Sequence, residues 1–321
     1  DDPSTLNLPQ MLTVTSTTAP CSPQPNTTRF VRTEPTLSTF PSGLLSTTLA
    51  ISVEFTALAT LQPTTLLGLP RLWELHLSSN RLTALPETLL CPVPTLRVLD
   101  LMDNALADLS AAMFVDSGHL CHLVLQGNRL QALRPAWFRH LLWLRWLNLA
   151  AYTLAEVSPA VFLPLRSLHS LDLSRNRLVS LASDTLAGLR VLEQLDLEGN
   201  HLGTLPLTAF APTPALRLLF LQDNELQTLP TGVFVPLHHL HVLDLARNGL
   251  RALELPPPSP GTMLDLDISD NLWVCECPLL ALLWRVAPRL AITHKTLCAS
   301  PERHQEQEVA VVISQVGDTG C

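Results

Sequence analysis

The sequence predicts an α/β solenoid, a horseshoe of stacked coils. One parallel sheet lines its concave side, and irregular, short-helical segments form its convex side. Three observations predict it. One phrase recurs, as "LWELHLSSNRL", "LRVLDLMDNAL", "LEQLDLEGNHL" and "LRLLFLQDNEL". Each phrase has an Asn two residues before its last Leu. These are Asn80, Asn104, Asn128, Asn176, Asn200, Asn224 and Asn248, with gaps of 24, 24, 48, 24, 24 and 24 residues. A column of aromatics follows ten residues behind that slot, at Phe114, Phe138, Phe162, Phe210 and Phe234, with Leu90 and Leu186 in the two other places.

Tyr152, the only Tyr of the chain, fills the missing beat; Asn271 comes 23 residues after Asn248, and Thr56 stands 24 before Asn80. Residues 48–274 thus hold about ten units. The pattern L-x-x-L-x-L-x-x-N-x-L at a fixed period of this size is the leucine-rich repeat signature. Each letter has a physical reason. The L-x-L segment is a strand whose Leu side chains point inward and whose x residues point out. A single unit cannot bury its Leu face, so units stack and share a core. The Asn turns inward, where its amide can both donate to and accept from backbone groups that water cannot reach. The Phe column is a spine packed under the convex side.

The ends need closure, because the outermost coils would otherwise expose apolar faces. Residues 1–20 are rich in Ser, Thr and Pro and read as a disordered, O-glycosylated leader. Residues 21–47 form an N-terminal cap with only Cys21 in it, and residues 275–321 form a C-terminal cap. The chain starts without a signal peptide, as a mature secreted chain would. Its apolar segment "LLALLWRVAPRLAI" is interrupted by Arg285, Pro288 and Arg289, too often to span a bilayer.

There are seven Cys, and Cys275, Cys277, Cys298 and Cys321 follow "DNLWVCECPLLALLW". This spacing resembles the C-terminal flanking cap of extracellular leucine-rich repeat proteins. The resemblance implies the pairs Cys275–Cys298 and Cys277–Cys321, and disulfides imply an oxidising compartment. The sequon at Asn26 fits that compartment as a glycosylation site. Cys21, Cys91 and Cys121 remain, an odd number, so at least one is unpaired or bonds another chain.

Function should lie on the outward strand positions. Columns two, four and six residues before the Asn slot contain Glu54, Glu74, Asp100, Asp172, Asp196, Glu198, Asp244, Asp265 and Asp267, nine acids in thirty positions, with no Lys or Arg. Arginines stand at the rims, at Arg97, Arg145 and Arg217 before the strands and Arg175 and Arg247 after them. L-D-L is also a common filler in this repeat. An acidic concave face would speed association with a basic protein and exclude acidic ones. The net charge of −8 agrees and argues against nucleic acid. Phe220 and Trp146 add apolar contact area to that face. Tyr152, beside Trp146, reads either as a binding anchor or as a bulky plug that bulges its turn.

Nothing marks an enzyme. G-x-S-x-G, Walker and dinucleotide loops are missing, and the chain has only 12 Gly. The clusters "HLCH" (His119 to His122) and "HHLH" (His238 to His241) sit where strands begin, a polar position of the repeat. Neither cofactor nor metal is expected.

The phrases "LWELHLSSNRLTALPETLLCPVPTLRVLDLMDNAL" and "DISDNLWVCECP" resemble the leucine-rich α2-glycoprotein family of vertebrate plasma, which includes the β-type phospholipase A2 inhibitor of snake plasma. The resemblance spans roughly residues 48–300. It departs in the missing N-terminal Cys pair, the leader, Cys91, Cys121 and Tyr152, as a diverged member would. It implies a secreted, non-enzymatic plasma protein that captures other proteins. The inhibitor type is a trimer that takes basic secreted phospholipases A2. The glycoprotein type is associated with cytochrome c, also basic, and with growth-factor signalling.

Overall fold

The computed structural model describes residue 21, residues 28–151 and residues 153–317. Asn26, Tyr152, Cys321 and the segment 1–20 lie outside the described residues, and with them the sequon, the irregular slot, the Cys277–Cys321 pairing and the leader.

Among the described residues, twelve strands form one sheet in sequence order, every neighbour parallel. The first, β1 (Arg29–Arg32), lies in the segment expected to cap the N-terminal end. Ten follow at the repeat period: β2 (Ala50–Val53), β3 (Glu74–His76), β4 (Val98–Asp100), β5 (His122–Val124), β6 (Trp146–Asn148), β7 (Ser170–Asp172), β8 (Gln194–Asp196), β9 (Leu218–Phe220), β10 (Val242–Asp244) and β11 (Leu264–Asp267). The last, β12 (Leu290–Ile292), belongs to the C-terminal cap. The strands pair without slippage, so equivalent repeat positions lie side by side: Leu75 opposite Leu99, Leu99 opposite Leu123. Most have a buried central residue between two half-buried ones, as alternation requires. The convex side is mostly turns, with one short helix, α1 (Pro135–Phe138), in the repeats.

The core is a continuous Leu column sealed by the Phe spine. Phe114, Phe138, Phe162, Phe210 and Phe234 are at most 1% exposed. Neighbouring rings touch, with centroids 5.7 Å apart for Phe138 and Phe162 and 5.9 Å for Phe210 and Phe234.

The Asn ladder works as its chemistry predicts. Asn200 donates from Nδ2 to the carbonyls of Leu173 and Leu197, both at 3.0 Å, and its Oδ1 accepts the Leu178 N–H at 3.1 Å. The same three bonds recur at Asn104, Asn128, Asn176, Asn224, Asn248 and Asn271. Residues just before the slot take positive φ, among them Ser79, Asp103, Arg175 and Asp223. Ala150 and Ala151, in the repeat of Tyr152, do not form the turn that Ser78 and Ser79 or Ser174 and Arg175 form.

The caps are tied on covalently and by packing. Cys275 bonds Cys298 across the C-terminal cap, as expected. There α2 (Cys277–Val286) and α3 (Val309–Val316) cover the last coil with Leu279, Leu280, Leu283 and Val312. The three remaining Cys resolve into a pair and a single: Cys21 bonds Cys121, 100 residues away in the fourth repeat. A long-range staple thus takes the place of a local Cys pair in the N-terminal cap. Cys91 is exposed and outside any disulfide, and its hydrogen bond with Asp116 raises its thiol pKa.

Candidate protein-binding face

The concave surface is the outward face of β2–β11, and its central row reads Ser52, His76, Asp100, Val124, Asn148, Asp172, Asp196, Phe220, Asp244, Asp267. Each Asp in this row has a local duty. Oδ1 of Asp172, Asp196 and Asp244 accepts the N–H two residues on, from Ser174, Glu198 and Ala246, at 2.9, 2.9 and 3.0 Å. Asp100 and Asp267 do the same with Met102 and Ser269. These are Asx turns that end the strands. They explain why Asp fills L-D-L even without a ligand. Asn148 makes the identical bond to Ala150 at 3.0 Å, so the turn needs the oxygen and not the charge.

The charge has separate consequences. Strands lie about 4.8 Å apart, and two carboxylates at that spacing repel by about 3 kcal/mol at an effective dielectric of about 20. Burial, followed by the charge of Asp172, pushes Asp196 up to about 8. Burial also raises Asp172 and Glu198, and lifts Asp244 to about 6 against the Ala246 N–H and Arg247.

At the two ends the acids have basic partners, two of which, Arg29 and His294, lie outside the repeat pattern. Arg29 of β1 reaches over β2 to Ser52 at 3.0 Å and to Glu74 at 2.8 Å. His76 lies between two carboxylates, Nε2 3.1 Å from Glu74 and Nδ1 3.6 Å from Asp100. Burial opposes its charge, but the bonds to Asp100 and Glu74 outweigh burial and raise it to about 9. At the far end His294 of the C-terminal cap stands 2.9 Å from Asp267, which is only 9% exposed. Among the described residues, Asp172, Asp196, Glu198 and Asp244 have no basic partner at ion-pair distance.

The aromatic contributions are similarly uneven. Trp146 stacks face to face on His122, centroids 3.9 Å apart and 8° from parallel, with Arg145 5.5 Å from the indole. Burial drives His122 down to about 4, so the stacked ring is neutral. Phe220 stands half-buried in the central row, opposite Asp196 on one side and Asp244 on the other. The sequence pattern identified Trp146 and Phe220 but missed His122, the last residue of the "HLCH" cluster, which is an outward strand position. Arg29, His294 and Gln222 were also missed. The first two lie in the caps, outside the repeat. Gln222 lies in a column where only the charged Glu54 and Glu198 stood out.

Glu54, His76 and Asp100 each offer a ligand atom, all within 4.8 Å of one another. Both imidazole nitrogens already face carboxylates, so His76 is itself the cation of that cluster. A shallow depression lined by Ala59, Leu61, Thr83 and Pro86 holds no titratable group. Among the described residues, no helix is long and apolar enough to cross a membrane.

The leucine-rich repeat family matches residues 94–153, 144–202 and 200–250. Two curated relatives match over 69 residues. They are phospholipase A2 inhibitor beta of Elaphe climacophora, 51% identical, and a phospholipase A2 inhibitor of Gloydius brevicaudus siniticus, 49% identical. Each alignment covers 21% of this chain and 21% of the relative, so the chain spans about a fifth of the length of the curated relatives it matches. Among solved structures, the octameric complex of latrophilin 3, Unc5D and the leucine-rich repeat protein FLRT2 matches with a TM-score of 0.68 at 22% identity, over 83% of this chain and 81% of that one. A leucine-rich repeat protein of Leptospira interrogans matches at 0.63 and 23%, over 78% and 68%. At these identities the structures share the fold alone. The named relatives support the resemblance to the inhibitor family.

Proposed function

The chain is a leucine-rich repeat protein, and on that footing we propose that it is a secreted inhibitor that captures a basic secreted phospholipase A2 on its acidic concave face. The observation that carries this reading is the run of Asp172, Asp196, Glu198 and Asp244 without basic partners, on a chain whose named relatives are phospholipase A2 inhibitors. A solenoid offers an extended concave surface of this kind, and clustered carboxylates steer a cationic partner toward it. The protein does no chemistry of its own in this role; it covers the enzyme's working face. The disulfides Cys21–Cys121 and Cys275–Cys298 suit an extracellular place of work. The same face would accept cytochrome c, the glycoprotein-type reading.

The test is an inhibition assay with basic and acidic phospholipase A2 isoforms alongside cytochrome c binding. Inhibition confined to basic isoforms is expected. Equal inhibition of both, or none of either with tight cytochrome c binding, would overturn the phospholipase reading.

A further inference from the structure

The concave acids are not one uniform field. Glu74 and Asp100 are neutralised by Arg29 and His76, and the His294 ring stands over Asp267 at 2.9 Å. The stretch from β7 to β10 is different: Asp172, Asp196 and Asp244 occupy the same row, with Phe220 in register between the last two. One oxygen of each carboxyl holds its Asx turn, and the Ser174 side chain also bonds Asp172; among the described residues no basic side chain reaches the carboxyls of Asp196 and Asp244 at ion-pair distance. A second, independent feature lies beside them. Gln222, two residues after Phe220 and next to Glu198 on the adjoining coil, is 9% exposed, and its Oε1 is buried without any hydrogen-bond partner. Buried acceptors are almost always satisfied, so an orphan one signals a missing donor.

We propose that β7–β10 is the docking site for a lysine- or arginine-bearing protein segment whose cationic side chain lies across Phe220, between Asp196 and Asp244, and donates to Gln222. This rests on the reading of the concave face as the capture surface, and narrows it to the half that the caps leave open. The residue types fit one cation: an aromatic face for its stem and charge, carboxylates on both flanks, and an amide oxygen that turns to meet an N–H.

Docking here is coupled to protons. Asp196 is faced by Asp172 from β7, by Glu198 on its own coil and by Arg175 at the rim; β9 offers it only Phe220 and Gln222. Asp244 is faced by Asp267, Arg247 and Glu198, and Arg247 is itself held by Asp223 at 2.7 Å. Burial, with repulsion between neighbouring carboxylates second to it, keeps part of this cluster protonated near neutrality. An arriving cation favours the ionised forms, so binding expels protons and tightens as pH rises from 6 to 8.

Calorimetric titration of the full chain with oligolysine, in buffers of different ionisation enthalpy, tests this. Wild type should bind with net proton release. Asp196→Asn with Asp244→Asn keeps the turns and should weaken binding by about tenfold or more while flattening its pH dependence. Phe220→Ala and Gln222→Leu should each weaken it by a similar factor, and Glu74→Gln with Asp100→Asn by less than about twofold. Melting temperatures verify folding, and Phe220→Leu replaces Phe220→Ala should the latter unfold. Failure of oligolysine to bind wild type, or an equal loss from the Glu74 and Asp100 changes, overturns the docking site. Oligolysine binding as expected without inhibition of a basic phospholipase A2 leaves the site standing and removes that enzyme as partner. Inhibition indifferent to the central variants does the reverse.

Discussion

His294 Nδ1 stands 2.9 Å from Asp267 Oδ2, which puts a residue of the C-terminal cap over the last acid of the concave row. At the opposite end Arg29 does the same to Glu74 at 2.8 Å. The caps therefore do more than cover apolar coil ends. They also set where the acidic surface starts and stops, because each brings one basic side chain inward over the first or last repeats. Removing that side chain should lengthen the acidic surface. Arg29→Ala with His294→Ala is expected to raise the association rate with a basic phospholipase A2 by about two- to threefold at low salt. The stability cost should stay near 1 kcal/mol, since both pairs are partly exposed. Stopped-flow binding at two ionic strengths checks it; an unchanged rate would mean the ends never contribute to steering.

The central acids are expected to act on rate before affinity. Changing Asp172, Asp196 and Asp244 together to Asn retains the Asx turns, as Asn148 shows. Association should slow by about tenfold at low salt and by much less at high salt, because screening shortens the field to about 8 Å at physiological ionic strength. Equal slowing at all salt concentrations would point to lost contacts and not to steering.

The covalent frame gives a third expectation. Non-reducing peptide mapping should recover Cys21–Cys121 and Cys275–Cys298, together with the Cys277–Cys321 link implied by resemblance. Closing a loop of 100 residues constrains the unfolded chain strongly. Cys21→Ser with Cys121→Ser should therefore lower stability by about 2–5 kcal/mol. A Cys91 link to either partner in the map would refute this frame.

What the sequence made legible follows from the repeat. A side chain that recurs every 24 residues reports a constraint that recurs, so the Leu core, the Asn ladder, the Phe spine and the outward rows could all be placed before any coordinates. Arg29, His294 and Cys21 act across tens of residues on positions they do not neighbour in sequence, and no period announces them. Cys121 shows this well. It occupies the same column as Arg97 and Arg145, and only the position of Cys21 against the fourth repeat gives it a partner. The Asp residues were legible as charges, but their turn-closing bonds and mutual pKa displacement depend on geometry between adjacent coils.

His76 supplies a pH-dependent expectation. Its pKa is raised from the usual 6.5 to about 9, so its contribution to stability is complete below about 6.5 and lost as pH climbs through 9. His76→Gln should destabilise the protein by about 2 kcal/mol at pH 6 and by little at pH 10. Thermal melts of both proteins across that range measure the convergence, and an NMR titration of His76 near 6.5 would refute the ion-pair account.

The interrupted slot provides the last prediction. Leu101 O receives Nδ2 from both Asn104 and Asn128, and Leu173 O from both Asn176 and Asn200. Around position 152 the described residues give each carbonyl one such donor: Asn128 for Leu125, Asn176 for Leu149. An Asn at 152 would bring Nδ2 to both carbonyls and Oδ1 to the Leu130 N–H, by the rule the rest of the ladder follows. Each restored bond contributes about 1 kcal/mol net. Tyr152→Asn is thus expected to raise stability by about 1–3 kcal/mol and to draw Ala150 and Ala151 into the turn of the other repeats. Binding should be unchanged, because the slot belongs to the interior row and not to the outward columns. One variant measured for melting temperature and for affinity toward a basic phospholipase A2 decides between plug and anchor. A loss of about 2 kcal/mol in binding at constant stability would make Tyr152 an anchor beside Trp146, and the interruption a device for the ligand instead of a tolerated irregularity in the ladder.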